Sequence, residues 1–352
     1  MTSESDRSRR DVLILGAATA LVGAGLAGPA AAELKTVVYN NSGGASADAA
    51  RAAWGGLMRD RASSNLLVTA PASVARLKAM IQARNVEWDV AELVSQEHKQ
   101  AIRESMLQKL DLSVIDLSHT PDDCKDEYSV VYALYSTAMA YSSKIAAAKR
   151  PGSWAEFWDV AKFPGRRALR NHPVDNLEFA LLADGVPKDK IYPIDFDRAF
   201  ASLDRIKKHI AVWWRDGSQP AQMLIDGEVD FTSGWHGRFF ALAQKGETGF
   251  GVQWNQAMLK RSWVGVPQGA KNPREAMQLI SFMIDPTASA KYAEGIGYIC
   301  CDARANNHLP ENVRPWVMSN PAIAELTVSA NEQWWLDNGE LAQRKWNDWI
   351  VT

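Results

Sequence analysis

From Lys35 onward the chain alternates between two apolar rhythms. Thr36-Val37-Val38-Tyr39-Asn40 is a short β-branched run that breaks at Asn41-Ser42-Gly43-Gly44, which predicts a strand giving way to a loop. Residues 45–61 then carry Ala49, Ala53, Trp54 and Leu57 near helical spacing. Residues 66–69 read as the next strand, 73–83 as a helix and 88–91 as a third strand. Such strand–helix alternation predicts an α/β fold with a parallel sheet covered on both faces. A helix that starts just after a Ser/Gly loop also presents free backbone N–H groups to a ligand.

The pattern continues beyond the first hundred residues. Residues 129–141 form a long β-rich run, and the chain resets at Pro151-Gly152-Ser153-Trp154, where Ser153 and Glu156 make a capping box for a short helix through Trp158. Residues 175–185 read as a helix stopped by Gly185, and 197–208 as an amphipathic helix. Strands are predicted at 229–234 and 263–267, a helix at 273–284, and a Trp-rich helix at 334–350. Two α/β lobes of similar size, joined by crossing segments, account for this order.

The first 32 residues follow another rule. Arg9-Arg10, a soft apolar run and Ala30-Ala31-Ala32 give the charged start, apolar middle and A-x-A end of an export signal cleaved after Ala32. Paired arginines point to the twin-arginine (Tat) machinery, which moves proteins already folded. Residues 12–32 are long enough to span a bilayer, but they are mostly Ala and Gly, so a cleaved signal is favoured over an anchor. The remaining 320 residues (352 minus 32) exceed what one core usually serves, which again predicts two lobes.

A net charge of −2 argues against nucleic acid, which calls for a basic face. Fourteen tryptophans are an unusual number, and Trp packs against small solutes as well as into cores. Only Cys124, Cys300 and Cys301 occur. An oxidising compartment permits one disulfide among them, from Cys124 to either Cys300 or Cys301. They lack the spacing of a metal site, and no G-x-S-x-G elbow is present, so neither a metal, a cofactor nor an enzymatic activity is expected.

Five segments together resemble one family. They are Gly152-Ser153-Trp154-Ala155-Glu156-Phe157-Trp158 with Phe163-Pro164-Gly165; the stretch from Leu177 to Val186; Val264-Gly265-Val266-Pro267 with Gly269-Ala270-Lys271-Asn272; Ile296-Gly297-Tyr298; and Arg344-Lys345-Trp346-Asn347-Asp348-Trp349. In this order, across about two hundred residues, they resemble the periplasmic solute-binding proteins of ABC importers, in the branch that includes the spermidine/putrescine binders. The resemblance implies a two-lobed type II periplasmic-binding-protein-like fold, each lobe a mainly parallel sheet flanked by helices. It implies lobe 1 at 33–134 plus 263–302 and lobe 2 at 135–262 plus 303–352. It also implies a monomeric periplasmic receptor that closes on a small polar nitrogen-containing solute and delivers it to an inner-membrane ABC permease.

Site residues follow from the same resemblance. The loop after the first strand touches ligand in the family, which puts Asn41 and Ser42 forward, and Glu92 follows the third strand, where a carboxylate meets an ammonium. Asp175 matches an acidic position of the second lobe, with His172 in place of another. Trp235 and Arg238 match a W-x-G segment, Tyr298 a ligand-contact tyrosine, and Trp335 stands where the family has an amide, which implies an aromatic wall. The return crossing departs most: Ser262 occupies an acidic position, preceded by Lys260 and Arg261. Facing the pocket, these cations would repel a polyamine and suit an anionic or zwitterionic solute; facing solvent, they would decide nothing. A Cys-dependent enzyme on the same bilobal fold is the remaining alternative.

Overall fold

In the computed structural model, which describes residues 34–94 and 96–352, the β-branched opening run is strand β1 (Lys35–Asn40). The export signal expected over residues 1–32 lies outside the described residues. After β1 come α1 (Ala45–Ala62), β2 (Ser64–Thr69), α2 (Val74–Gln82), β3 (Val90–Val94) and α3 (Gln96–Arg103). Local chemistry sets the boundaries. Ser73 caps α2 by accepting the Arg76 N–H, and α1 ends at Ser63 in the left-handed region.

A 14-residue strand β4 (Ser129–Ser142) leads into the second half of the molecule. There α4 (Trp154–Trp158) starts with the expected capping box: Ser153 Oγ accepts the Glu156 N–H at 3.2 Å, while Glu156 accepts the Gly152 N–H at 2.7 Å. Next are β5 (Arg167–Arg170), α5 (Pro173–Ala183), α6 (Phe196–Lys207), β6 (Ile210–Trp214), α7 (Gln219–Asp226), β7 (Phe231–Trp235) and α8 (His236–Ala243). The run read as a short strand at 263–267 is the end of β8 (Phe250–Gly265), 16 residues long. The chain closes with α9 (Pro273–Ile284), α10 (Pro286–Ile296), α11 (Pro321–Ala324), β9 (Val328–Ser329) and α12 (Glu332–Val351).

The nine strands among the described residues form one sheet, in the order β2-β1-β3-β8-β4-β7-β5-β6 with β9 on β8. The outer strands on each side pair in parallel, β1 with β2 and β3, and β5 with β6 and β7. The long strands β4 and β8 run antiparallel to each other between them. Two large apolar cores result, with three smaller clusters beside them among the described residues. Trp54, Tyr39, Val37, Val264, Ile280 and Tyr292 fill one, with Trp54 stacked on Tyr292 at 4.6 Å between centroids. Trp154, Phe157, Leu177, Phe179, Phe231 and Trp346 fill the other, with Trp154 stacked on Phe179 at 3.7 Å. Truncating any one of these buried aromatics to alanine costs about 3–5 kcal/mol.

Cys124 is disulfide-bonded to Cys301, and Cys300 is free and buried. The choice between neighbours follows from direction: Cys300 points inward against the Ile284 carbonyl and leaves Cys301 to the bridge. No helix among the described residues is long and apolar enough to cross a membrane.

Candidate functional site

In each half, the loops that follow the parallel strands lie at their carboxyl ends, where α/β sheets bind ligands. The β1–α1, β3–α3, β5–α5 and β7–α8 connections meet around a cavity of about 310 Å³. Ser42, Ser46, Glu92 and Glu97 line it from the first half, and Arg170, His172, Trp235 and Arg238 from the second. Tyr135 and Lys260, from the crossing strands, complete the wall with Tyr298.

Glu92 is 4 % exposed and is held by four donors. Its Oε2 accepts the Ser42 N–H at 2.5 Å and the Ser42 hydroxyl at 2.7 Å. Its Oε1 accepts the Tyr132 hydroxyl at 2.9 Å and the Ser262 hydroxyl at 3.1 Å. Among the described residues every one of these donors is neutral, so the carboxylate has hydrogen bonds but no counter-charge. A cation entering the cavity would supply the counter-charge that these neutral donors do not.

The second half presents the opposite sign. Arg170, the last residue of β5, lies over the Trp235 ring at 5.3 Å and the Trp214 ring at 5.9 Å. Its guanidinium has no carboxylate partner among the described residues. Arg238, in the first turn of α8, donates only to the Gly43 carbonyl at 3.3 Å, reaching across to the β1–α1 loop. A side chain at Gly44 would strike this guanidinium, because its Cβ would lie 2.6 Å from Nη1. Lys260 is neutralised instead: its Nζ lies 2.6 Å from Asp175 Oδ2, with both side chains almost fully buried. Burial pulls the Lys260 pKa down, and Asp175 opposes that shift.

His172 is neutral. Burial, helped by Arg170, lowers its pKa to about 3, and its Nδ1 accepts the Val174 N–H, which leaves the proton on Nε2. Two carboxyls are pushed the other way by burial: Glu97 to about 7, and Glu178, behind the cavity on α5, also to about 7. The consequence for Glu178 has a definite sign. The unfolded chain ionises it near 4.5 and the native protein near 7, so the native state binds more protons in between. This contribution to stability is complete below pH 4.5 and is lost as pH rises through 7. Glu178→Gln keeps an acceptor for Tyr192 and Trp335, and should gain melting temperature relative to wild type as the pH is raised from about 5 to about 8. A difference in Tm that is flat across that range would contradict this account.

Of the residues put forward from sequence, Ser42, Glu92, Trp235 and Arg238 are on the cavity wall, as are Lys260, Ser262 and Tyr298. Three are not. Asn41 is buried behind the loop, bonding Ser46 Oγ at 3.3 Å and accepting the Gly43 N–H at 2.9 Å. Asp175 lies one layer below the wall, under Lys260 and Thr137. The expectation of an aromatic wall at Trp335 is corrected. Its indole is 2 % exposed in the second core and donates to Glu178 Oε1 at 2.8 Å, because α12 packs against α5 there.

The neighbouring cations split as strand alternation requires. Lys260 faces the cavity, while Arg261 turns to the opposite face and pairs with Asp123. Arg170, Tyr135 and Glu97 were missed. Arg170 ends a four-residue strand whose Arg-Ala-Leu-Arg sequence has no apolar alternation, so only its place just before a helix start hinted at a role. Tyr135 sits in the middle of an apolar run, and Glu97 is in the first turn of a short, mostly polar helix of eight residues that the sequence reading passed over.

Comparison with known proteins agrees with this architecture. Residues 67–325 match the bacterial extracellular solute-binding protein family. A γ-aminobutyric acid-binding protein of Pseudomonas aeruginosa is 33% identical over 285 residues, 79% of this chain and 80% of that one. A spermidine/putrescine-binding periplasmic protein of Escherichia coli is 27% identical over 206 residues, 56% of this chain and 58% of that one. An ABC transporter substrate-binding protein from Bradyrhizobium japonicum superimposes with a TM-score of 0.84 at 34% identity, covering 90% of this chain and 99% of that one. The two-lobed type II periplasmic-binding-protein fold is therefore the fold of this chain, and its relatives are receptors that deliver small solutes to ABC permeases. The chain belongs to the bacterial extracellular solute-binding protein family and is a solute-binding receptor of the ABC-importer type.

Proposed function

We propose that the solute is a short ω-amino acid, a zwitterion of the γ-aminobutyrate class. The observation that carries this reading is the opposition of charges across one small cavity: Glu92 without a cation on the first half, Arg170 and Arg238 without a carboxylate on the second. An ammonium at Glu92 and a carboxylate at the two guanidiniums would satisfy all three with one molecule. Arginine forks bind carboxylates bidentately, and His172 Nε2–H adds a neutral donor. The cavity volume is at the small end of the roughly 300–1,000 Å³ usual for such sites, which suits a compact solute better than an extended polyamine. The name of the P. aeruginosa relative points the same way.

The rest of the proposal is mechanical. The lobes (33–134 plus 263–302, and 135–262 plus 303–352) turn about the β4 and β8 crossings, and the solute bridges them only when they are closed. Binding therefore shifts the population toward the closed state that the permease recognises. The protein reaches the periplasm through the twin-arginine machinery, loses residues 1–32 there, works as a monomer and binds its solute without turnover.

Calorimetry on the 33–352 chain tests the ligand class with γ-aminobutyrate, putrescine and glutarate. The zwitterion should bind at least 100-fold more tightly than the diamine or the diacid. A tighter putrescine complex would overturn the proposal in favour of the polyamine reading.

A further inference from the structure

The reading above leaves one cation of the cavity without a task. Lys260 reaches the wall, yet its charge is consumed inside the protein by Asp175. Thr137 Oγ1 donates to the same carboxylate oxygen at 2.9 Å, so Asp175 Oδ2 is fully engaged. Its other oxygen, Oδ1, is buried with no hydrogen-bond partner in the structure, and so is Oε2 of Glu178, one helical turn along α5. Asp175 itself has a left-handed backbone (φ 74°) within α5, a conformation kept only where the surroundings hold it. A buried ion pair is weak evidence for stability, because well-packed apolar residues often do as well. A spare acceptor on Asp175 and a strained backbone thus stand beside a lysine whose contribution to stability does not explain it.

We propose that Lys260 is a tethered occupant: its ammonium fills, from within the chain, an alkylammonium site built on Asp175, and thereby closes the cavity to diamines. The site has more acceptor capacity than the lysine uses. Lys260 and the Glu92 carboxylate both face the cavity, so removing the lysine side chain leaves one continuous space with a carboxylate toward each end. That is the recognition pattern of a diammonium ion. With Lys260 in place the same cavity offers the Glu92 carboxylate, with the largely neutral Glu97 near it, and two guanidiniums without a carboxylate partner among the described residues, the pattern of a zwitterion. One residue on β8 therefore divides the two solute classes. This inference rests on the zwitterion reading for the native ligand, but the alkylammonium site can be tested without it.

The test compares wild type, Lys260→Ala, Lys260→Met and Lys260→Ala/Asp175→Asn in the 33–352 chain, with n-butylamine and putrescine as probes. n-Butylamine carries the four carbons and the ammonium of the lysine side chain, one carbon more than Lys260→Ala deletes. It should raise the Tm of Lys260→Ala at millimolar concentration and leave wild type and Lys260→Met unmoved. Putrescine should bind Lys260→Ala at least tenfold more tightly than wild type, and the double variant should respond to neither amine. If Lys260→Ala folds poorly, its refolding yield against n-butylamine concentration becomes the readout. No dependence on the amine in melting or refolding would overturn the tethered-occupant assignment, even where wild type prefers the zwitterion. Tight putrescine binding by wild type would overturn the zwitterion reading, and the n-butylamine response of Lys260→Ala would still decide the site.

Discussion

Arg170→Met should abolish tight binding of γ-aminobutyrate while leaving the fold intact. Removing one partner of a desolvated, hydrogen-bonded charge pair costs about 2–5 kcal/mol, or roughly 30- to 5,000-fold in Kd. The loss is expected near the upper end, because the ligand carboxylate would remain buried between aromatic rings with Arg238 alone to meet it. Stability should change little, because the side chain makes no ion pair in the ligand-free structure and gives up only its contact with Trp235 and Trp214, about 0.5–2 kcal/mol. Arg170→Lys should not restore affinity, because a point charge cannot reproduce the planar fork. Calorimetry with a ligand that lacks the carboxylate supplies the control: putrescine, a weak ligand of wild type, should bind Arg170→Met no more weakly. Equal losses for both ligands would mean that Arg170 shapes the cavity and does not read the carboxylate.

Gly237→Ala comes second in size and runs against helix propensity. Gly237 lies in the first turn of α8, where alanine would ordinarily gain about 1 kcal/mol. Here a Cβ would stand 2.4 Å from Tyr298 Cε1 and 2.6 Å from the Ile296 carbonyl oxygen. The carbonyl is backbone and cannot rotate away, so α8 has to shift against the Ile296–Tyr298 turn. Overpacking of this kind costs about 1–3 kcal/mol, more than the propensity gain. The shift moves Tyr298 and Arg238 together, and both are on the cavity wall. We expect a rise in Kd of roughly 5- to 150-fold, measured by calorimetry, with far-UV circular dichroism unchanged. Unaltered affinity would show that the cavity does not depend on the α8–turn contact.

Much of the fold was legible because the chain states it in apolar rhythm: β1, α1 and α2, the β4 run, the capping box of α4, and α9 were all visible. In two of the unread strands, β5 and β8, charged residues interrupt the pattern, whereas β6 is wholly apolar and was missed for want of a polar alternation. β5 is Arg-Ala-Leu-Arg, and its arginines are placed by tertiary partners: Arg167 is buried against the carbonyls of Phe157, Gly165 and Phe163, while Arg170 meets the indoles. In β8 the pair Lys260-Arg261 hid a strand of 16 residues, because a buried lysine is intelligible only with Asp175 beside it, 85 residues away. The site was legible to the extent that motif and position coincide, as at Ser42, Glu92 and Tyr298. Trp335 failed because matching position does not fix direction, and the packing of α12 on α5 turned its indole toward Glu178.

The anchoring of Glu92 has a consequence for how such receptors diversify. Its carboxylate is tied to the loop after β1 through Ser42, to β4 through Tyr132 and to β8 through Ser262, so displacing it disturbs three separate elements at once. Arg170 and Arg238 hold nothing comparable, since one rests on rings and the other touches a single carbonyl. If Glu92 receives the amine as proposed, a new solute costs least structure when the Arg170 and Arg238 side is rewritten and the Glu92 side is kept. The chemistry that changes would then be the part that nothing else in the molecule leans on.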